Sequence, residues 1–227
     1  MAAVSLVSMR ARVVDRADAL GYLSLSDATD KAYIDAILNS ALARLHDTLT
    51  QAFEDYQLTI SGAIVVSSPA STFTLSSASI TNLLKLRSLE RLLSSGRYED
   101  VPSISVTERN RAQKLGYFLV GSTVHLFPAS QAPNSYRLWY TPTFTALVND
   151  GDTYEAINGW EELAVVDAAR QVKDEAEKDV TILDKRYTEL YRLIQEAARQ
   201  RNAGGPKKVR KVRRTLVDRV LAFEENE

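Results

Sequence analysis

The sequence predicts a mainly α (α+β) chain: a helical bundle with a long C-terminal helix or helix pair, a β-rich insert between the helices, and an extended C-terminal arm. Three observations predict it. Residues 158–201 contain no Pro and a single Gly, and Ala, Glu, Lys, Arg, Gln and Leu, the strongest helix formers, dominate them. Residues 57–145 change texture to alternating apolar and polar positions broken by Ser, Pro and Gly turns. Gly204, Gly205 and Pro206 then end the helix and open a basic tail. The expected division is 1–56 for the N-terminal helices of the body, 57–147 for the β-rich insert, 148–203 for the C-terminal helical segment that completes the body, and 204–227 for the arm.

Residues 4–19 read as a short helix, with Leu6, Met9, Val13 and Ala17 on one face and Arg10, Arg12 and Arg16 off it, ended by Gly21. A second helix starts at Ser26 or Asp27, residues that cap free N–H groups, and runs to about residue 54. Its stripe, Ile34, Ile37, Leu38, Ala41, Leu42, Leu45, Leu49 and Phe53, is broad enough to pack on two neighbours.

Within the insert, QLTISGAIVV and STFTLSS flank a Ser-Ser-Pro turn. LLKLRSLERLLSS fits a strand or a short helix equally well. Residues 97–104 look extended, with Pro102 at an edge, and the polar residues 105–114 look like a short surface helix. YFLV, TVHLFP and SYRLWYTP are strands, the first two joined by a two-residue Gly121-Ser122 turn. Asn149-Asp150-Gly151 is a tight turn leading back to helix. In the last helical stretch Val180, Leu183, Tyr187, Leu190, Ile194 and Ala197 step by three and four, close to a coiled-coil seam. A break is expected at Asp179, a good capping residue.

Composition narrows the chemistry. The chain has no Cys, so disulfides, thiolate metal sites and cysteine nucleophiles are excluded. His46 and His125 stand alone, away from any second ligand, and read as partly buried or surface side chains; no metal, cofactor or catalytic residue is expected. Asn149-Asp150-Gly151-Asp152 lacks the spacing and closing Glu of a calcium loop. Glu161 and Glu162 fall in a first helical turn, where negative charge offsets the helix dipole. No apolar run approaches the ~20 residues of a membrane span, and the N-terminus places its basic residues after the apolar ones, the reverse of a signal peptide. A protein made and used without export, with no membrane partner, is expected.

Net charge is −1, so the chain as a whole is no electrostatic binder of nucleic acid. The tail differs. Lys207, Lys208, Arg210, Lys211, Arg213 and Arg214 place six cations in eight residues. Val209, Val212, Leu216 and Val217 interleave with them, which a purely solvated tail does not need; an arm that orders against a partner protein is favoured, with DNA contact second. Trp139, Trp160, Tyr187 and Tyr191 are candidate interface anchors. Tyr136, Trp139 and Tyr140 beside Arg137 allow base stacking, but an alternating strand with one buried face explains them more simply.

Several stretches resemble the head-to-tail adaptor (connector) proteins of tailed phages. They are SDATDKAYIDAILNSALARLHDTL, ERNR, YRLWYTP, DGDTYEAINGWEELAVVDAARQVKDEAEKDV and QEAARQRNAGGPKKVRKV, covering residues 6–212. The ordered succession Asp-Gly-Asp, Asn-Gly-Trp-Glu-Glu, Asp-Ala-Ala and Lys-Asp-Val carries most of the specificity. The resemblance implies a structural virion protein at the head-tail junction, assembled in the host cytoplasm. It implies a ring of twelve copies below the portal that extends the DNA channel, with non-specific contact to packaged DNA, and that docks the next tail component, a nozzle, hub or stopper. It also makes Lys207, Lys208, Val209, Arg210, Lys211, Val212, Arg213, Arg214, Leu216 and Val217 a portal-binding arm. A nucleic-acid-binding module using the basic tail is the alternative. A cell-wall hydrolase, an activity attributed to some relatives, finds no supporting carboxylate arrangement in this sequence.

Overall fold

A computed structural model describes residues 3–19, 21–53, 55–107, 109 and 113–202. Among the described residues, four α-helices and three antiparallel sheets make an α+β fold, 42% helix and 24% strand. This corrects the expected mainly α bundle with a β insert. The two larger sheets have a core of their own, and a separate strand pair ties the N-terminus to the segment before the third helix.

β1 (Val4–Ser5) leads directly into α1 (Leu6–Arg16), where the Ser5 side chain accepts from the Ser8 N–H. The helix stops before Gly21, because Asp18 takes a positive φ of 49°. α2 (Ala28–Ala52) begins at Asp27, whose carboxylate accepts from the Thr29 and Asp30 N–H groups. Seven of its eight expected stripe residues lie within the helix and are buried; the eighth, Phe53, is buried at its C-cap.

β2 (Thr59–Ile60), β3 (Ile64–Val66), β5 (Leu83–Leu92), β6 (Tyr98–Val101) and β9 (Asn134–Pro142) form a five-stranded sheet in the order β2-β9-β5-β6, with β3 also on β9. β4 (Thr72–Thr74), β8 (Thr123–Phe127) and β7 (Gly116–Val120) form a three-stranded sheet in that order. The ambiguous LLKLRSLERL is β5, paired along both sides and carrying two register irregularities that blur its alternation. β7 and β8 meet at Gly121, φ 57°, as the Gly-Ser turn requires. Of the short helix expected over 105–114, residues 108 and 110–112 lie outside the described residues.

β10 (Thr153–Tyr154) pairs with β1, joining positions about 150 residues apart. α3 (Glu161–Glu175) and α4 (Thr181–Asn202) then complete the helical body. They part where expected, with the Asp179 carboxylate accepting from the Thr181 N–H and hydroxyl. α3 is buried on nearly every side because α1, α2 and α4 all pack on it. Two hydrophobic cores result. One gathers Leu38, Leu42, Leu45, Val165 and Ile194 with their helical neighbours. The other gathers Leu89, Leu126, Tyr136 and Leu138 between the sheets.

Candidate assembly surfaces

The helical body is fastened by ion pairs that converge on α1. Arg10 is 3% exposed and lies between Asp35 of α2 and Asp150 of the turn before β10. Its hydrogen bond to Asp35 is the main reason its own pKa is raised, and it holds the Asp150 carboxyl below the usual range. Arg12 reaches Glu161 and Glu162, and Arg16 also reaches Glu162. The first-turn acids of α3 therefore offset the helix dipole and also anchor α1. On the other side of α3, Arg44 and Arg170 converge on the buried Asp167, and Arg170 continues to Asp184 of α4. These networks fix the mutual positions of all four helices. The sequence hides them because the paired residues are up to 150 positions apart.

The five-stranded sheet offers an unburied face. Along β9, Tyr136, Leu138 and Tyr140 point into the core while Arg137 and Trp139 point away, as strand alternation dictates. Register places Ile60, Trp139 and Ser88 side by side, and Glu90 between Arg137 and Asp100. The Arg137 guanidinium sits 3.5 Å from the Tyr98 ring centre and 5.8 Å from that of Trp139 while pairing with Glu90. Such cation–π stacks contribute about 0.5–1 kcal/mol at exposed sites. Ile60 and Val65 extend the face with apolar surface, Val65 at 73% exposure. Arg flanked by aromatic rings, with apolar neighbours, is the composition enriched at protein–protein contacts.

The remaining anchors lie elsewhere. Trp160 precedes α3, is half-buried, and stacks on Phe53 at 5.0 Å against the helical core. Tyr187 packs partly on the same core with the Arg170 guanidinium 4.9 Å from its ring, and Tyr191 stacks beside it at 41% exposure. The structure brings Tyr187 and Tyr191 together and leaves Trp139 and Trp160 on separate surfaces. The ten arm residues, Lys207 to Arg214 with Leu216 and Val217, lie outside the described residues. Of the residues that shape these surfaces, sequence reasoning missed Tyr98, Ile60 and Val65; the alternation of QLTISGAIVV was the available signal for the last two.

Among the described residues no group of three or more His, Asp or Glu is placed to hold a metal ion, and no helix is long and apolar enough to cross a membrane. His46 is buried beside Tyr56 and Phe144, its Nε2 donating to the Pro142 carbonyl at 3.0 Å.

A family model described as SU10 adaptor protein matches residues 4–210. The chain belongs to the SU10 adaptor protein family. The expected kinship with phage head-to-tail adaptors is therefore met, and the adaptor is a structural phage protein. The match takes in both cores and reaches four residues into the basic cluster of the tail. No curated protein matches the adaptor significantly.

Proposed function

We propose that this adaptor forms a ring, of twelve copies, below the portal at the head-tail junction of the virion, extends the DNA channel, and docks the next tail component. The family match over residues 4–210 carries this reading. The four-helix body supports it physically: cross-links from α1 to α2 and α3, and from α3 to α2 and α4, make a stiff block suited to repetition around an axis. Ring contacts are heterologous, so one face must complement a different face of the neighbour. The Tyr98–Arg137–Trp139 face and the Tyr187–Tyr191 flank are the two surfaces assigned to such contacts.

Residues 206–227 serve as the portal-binding arm. Deleting them is expected to leave thermal unfolding of the rest unchanged and to abolish association with the portal of the same phage. Portal association that survives the deletion overturns that assignment.

The basic cluster at 207–214 favours a second reading, non-specific DNA binding by the free chain. Filter binding at low and high salt separates the two, since contacts to several phosphates make affinity fall steeply with salt.

A further inference from the structure

Residues 158–201 hold no Pro and only Gly159, yet the helix they encode is bent into α3 and α4. The bend falls on Ala176-Glu177-Lys178-Asp179-Val180, a stretch with no Gly or Pro to force it. Glu177 takes the left-handed conformation, φ 54°, that glycine usually supplies at a helix end. Its N–H donates to the Asp174 carbonyl and that of Lys178 to the Lys173 carbonyl, each at 2.9 Å. Continuing the helix would swap these two carbonyls between the same two donors and remove the strain at Glu177.

The elbow is free to move. Residues 174–179 are exposed throughout, so straightening them removes no core side chain of their own. From outside, the Lys178 ammonium holds the bend by donating to the Asp18 carbonyl at 3.2 Å and lying 4.4 Å from the Tyr22 ring centre. α4, in contrast, needs a core. Its Leu183, Leu190, Ile194 and Ala198 are buried in the helical body, and Asp184 pairs with Arg170 of α3. A straightened rod over residues 161–202, about 60 Å long, carries these side chains off their own body. A second copy of this chain offers them the same seat. Identical groups meet in trans, so exchange loses none of this packing, and a short strained hinge favours it.

Resting on the ring reading above, we propose that assembly exchanges α4: the elbow at 176–180 straightens, and each chain's α4 completes the helical body of the next chain. Each copy gives α4 to one neighbour and receives it from the other, the heterologous arrangement that a closed ring needs. The four-helix block keeps its contacts, with the Arg170–Asp184 pair now joining two chains.

The chain has no cysteine, so the full-length variant R170C/D184C carries its only two thiols on either side of the α3–α4 contact. A short bis-maleimide is expected to link them within one chain in the free protein. In the isolated portal complex it is expected to link them between chains, giving a ladder of chain multiples on a denaturing gel. Adding E177G favours the bend twice, since Gly accepts the positive φ and weakens a continuous helix. It should cut the share of interchain links at least about fivefold. Two results overturn the exchange and leave the ring standing. One is a portal complex whose links all stay within single chains; the other is a ladder that E177G does not diminish, which marks neighbours in contact without exchange. A chain that never joins the portal removes the ring reading and the exchange with it.

Discussion

Arg10 holds Asp35 through two parallel hydrogen bonds, Nε to Oδ1 at 2.9 Å and Nη2 to Oδ2 at 2.8 Å, and so joins the first helix to the second inside the body. Because the guanidinium is almost fully buried, removing it strands the carboxylates it neutralises. Breaking such a pair costs about 3 kcal/mol, so Arg10→Ala is expected to lower unfolding free energy by that order in urea titration. Double-mutant cycles should give Arg10 a larger coupling to Asp35 than to Asp150, which is 59% exposed. A larger coupling to Asp150 would mean that the turn before β10, and not α2, is what holds α1.

A second expectation concerns the strand core. The buried Tyr136 hydroxyl donates to the Ala132 carbonyl at 2.6 Å, and Leu138 beside it is fully buried. Tyr136→Phe should cost about 1 kcal/mol, the net worth of one hydrogen bond, whereas Leu138→Ala should cost about 2–5 kcal/mol through lost burial and a cavity. Chemical denaturation of the two variants checks the ordering, and a reversal would show the hydroxyl to be the more important support.

The outward face of the same strand should behave differently. W139A and R137A are expected to leave the denaturation midpoint within about 1 kcal/mol of the parent, as half-exposed side chains do, while weakening self-association on a portal. Sedimentation of portal mixtures measures this. Unchanged association together with a large stability loss would make the Tyr98–Arg137–Trp139 stack a fold element only.

Acid should loosen the helix starts and the turn before β10. Asp27 is held low by the Asp30 and Thr29 N–H groups, Asp150 by Arg10, Asp152 by the Asn149 and Val148 N–H groups, and Asp179 by the Thr181 hydroxyl and N–H. A folded-state pKa below the unfolded value means that the folded chain binds fewer protons. The stability from these groups is therefore complete above the unfolded carboxyl range, about pH 4, and is lost as pH falls through the lower folded values. Tm should stay level from neutral pH to about 5 and fall below 4. Asp27→Asn keeps a capping side chain but removes its titration, so its acid slope should be shallower than the parent's, and an identical slope would remove Asp27 from the account.

Local features were legible where one residue type forces one geometry. Asp27 marks the start of α2, Asp179 marks the break between α3 and α4, and Gly121 marks the β7–β8 turn. The balance of the fold was not. β1 and β10 are two residues each, too short to show alternation, and each exists only because the other does. β5 hid its strand character because its two irregularities leave consecutive leucines on both faces. The ion pairs were invisible for the same reason as β1–β10: pairing across about 150 residues leaves no local pattern. Of the four candidate anchors, Tyr187 and Tyr191 stack on one helix, whereas the surroundings of Trp139 and Trp160 depend on which strand or helix arrives beside them.

The most direct test of the adaptor assignment is the native mass of the purified protein, alone and after mixing with the portal of the same phage. The account predicts that the chain joins the portal in a one-to-one subunit ratio, giving a ring of adaptors on a ring of portal subunits. A chain whose mass is unchanged by the portal would contradict it, and the basic segment at 207–214 would then be examined as a DNA-binding element.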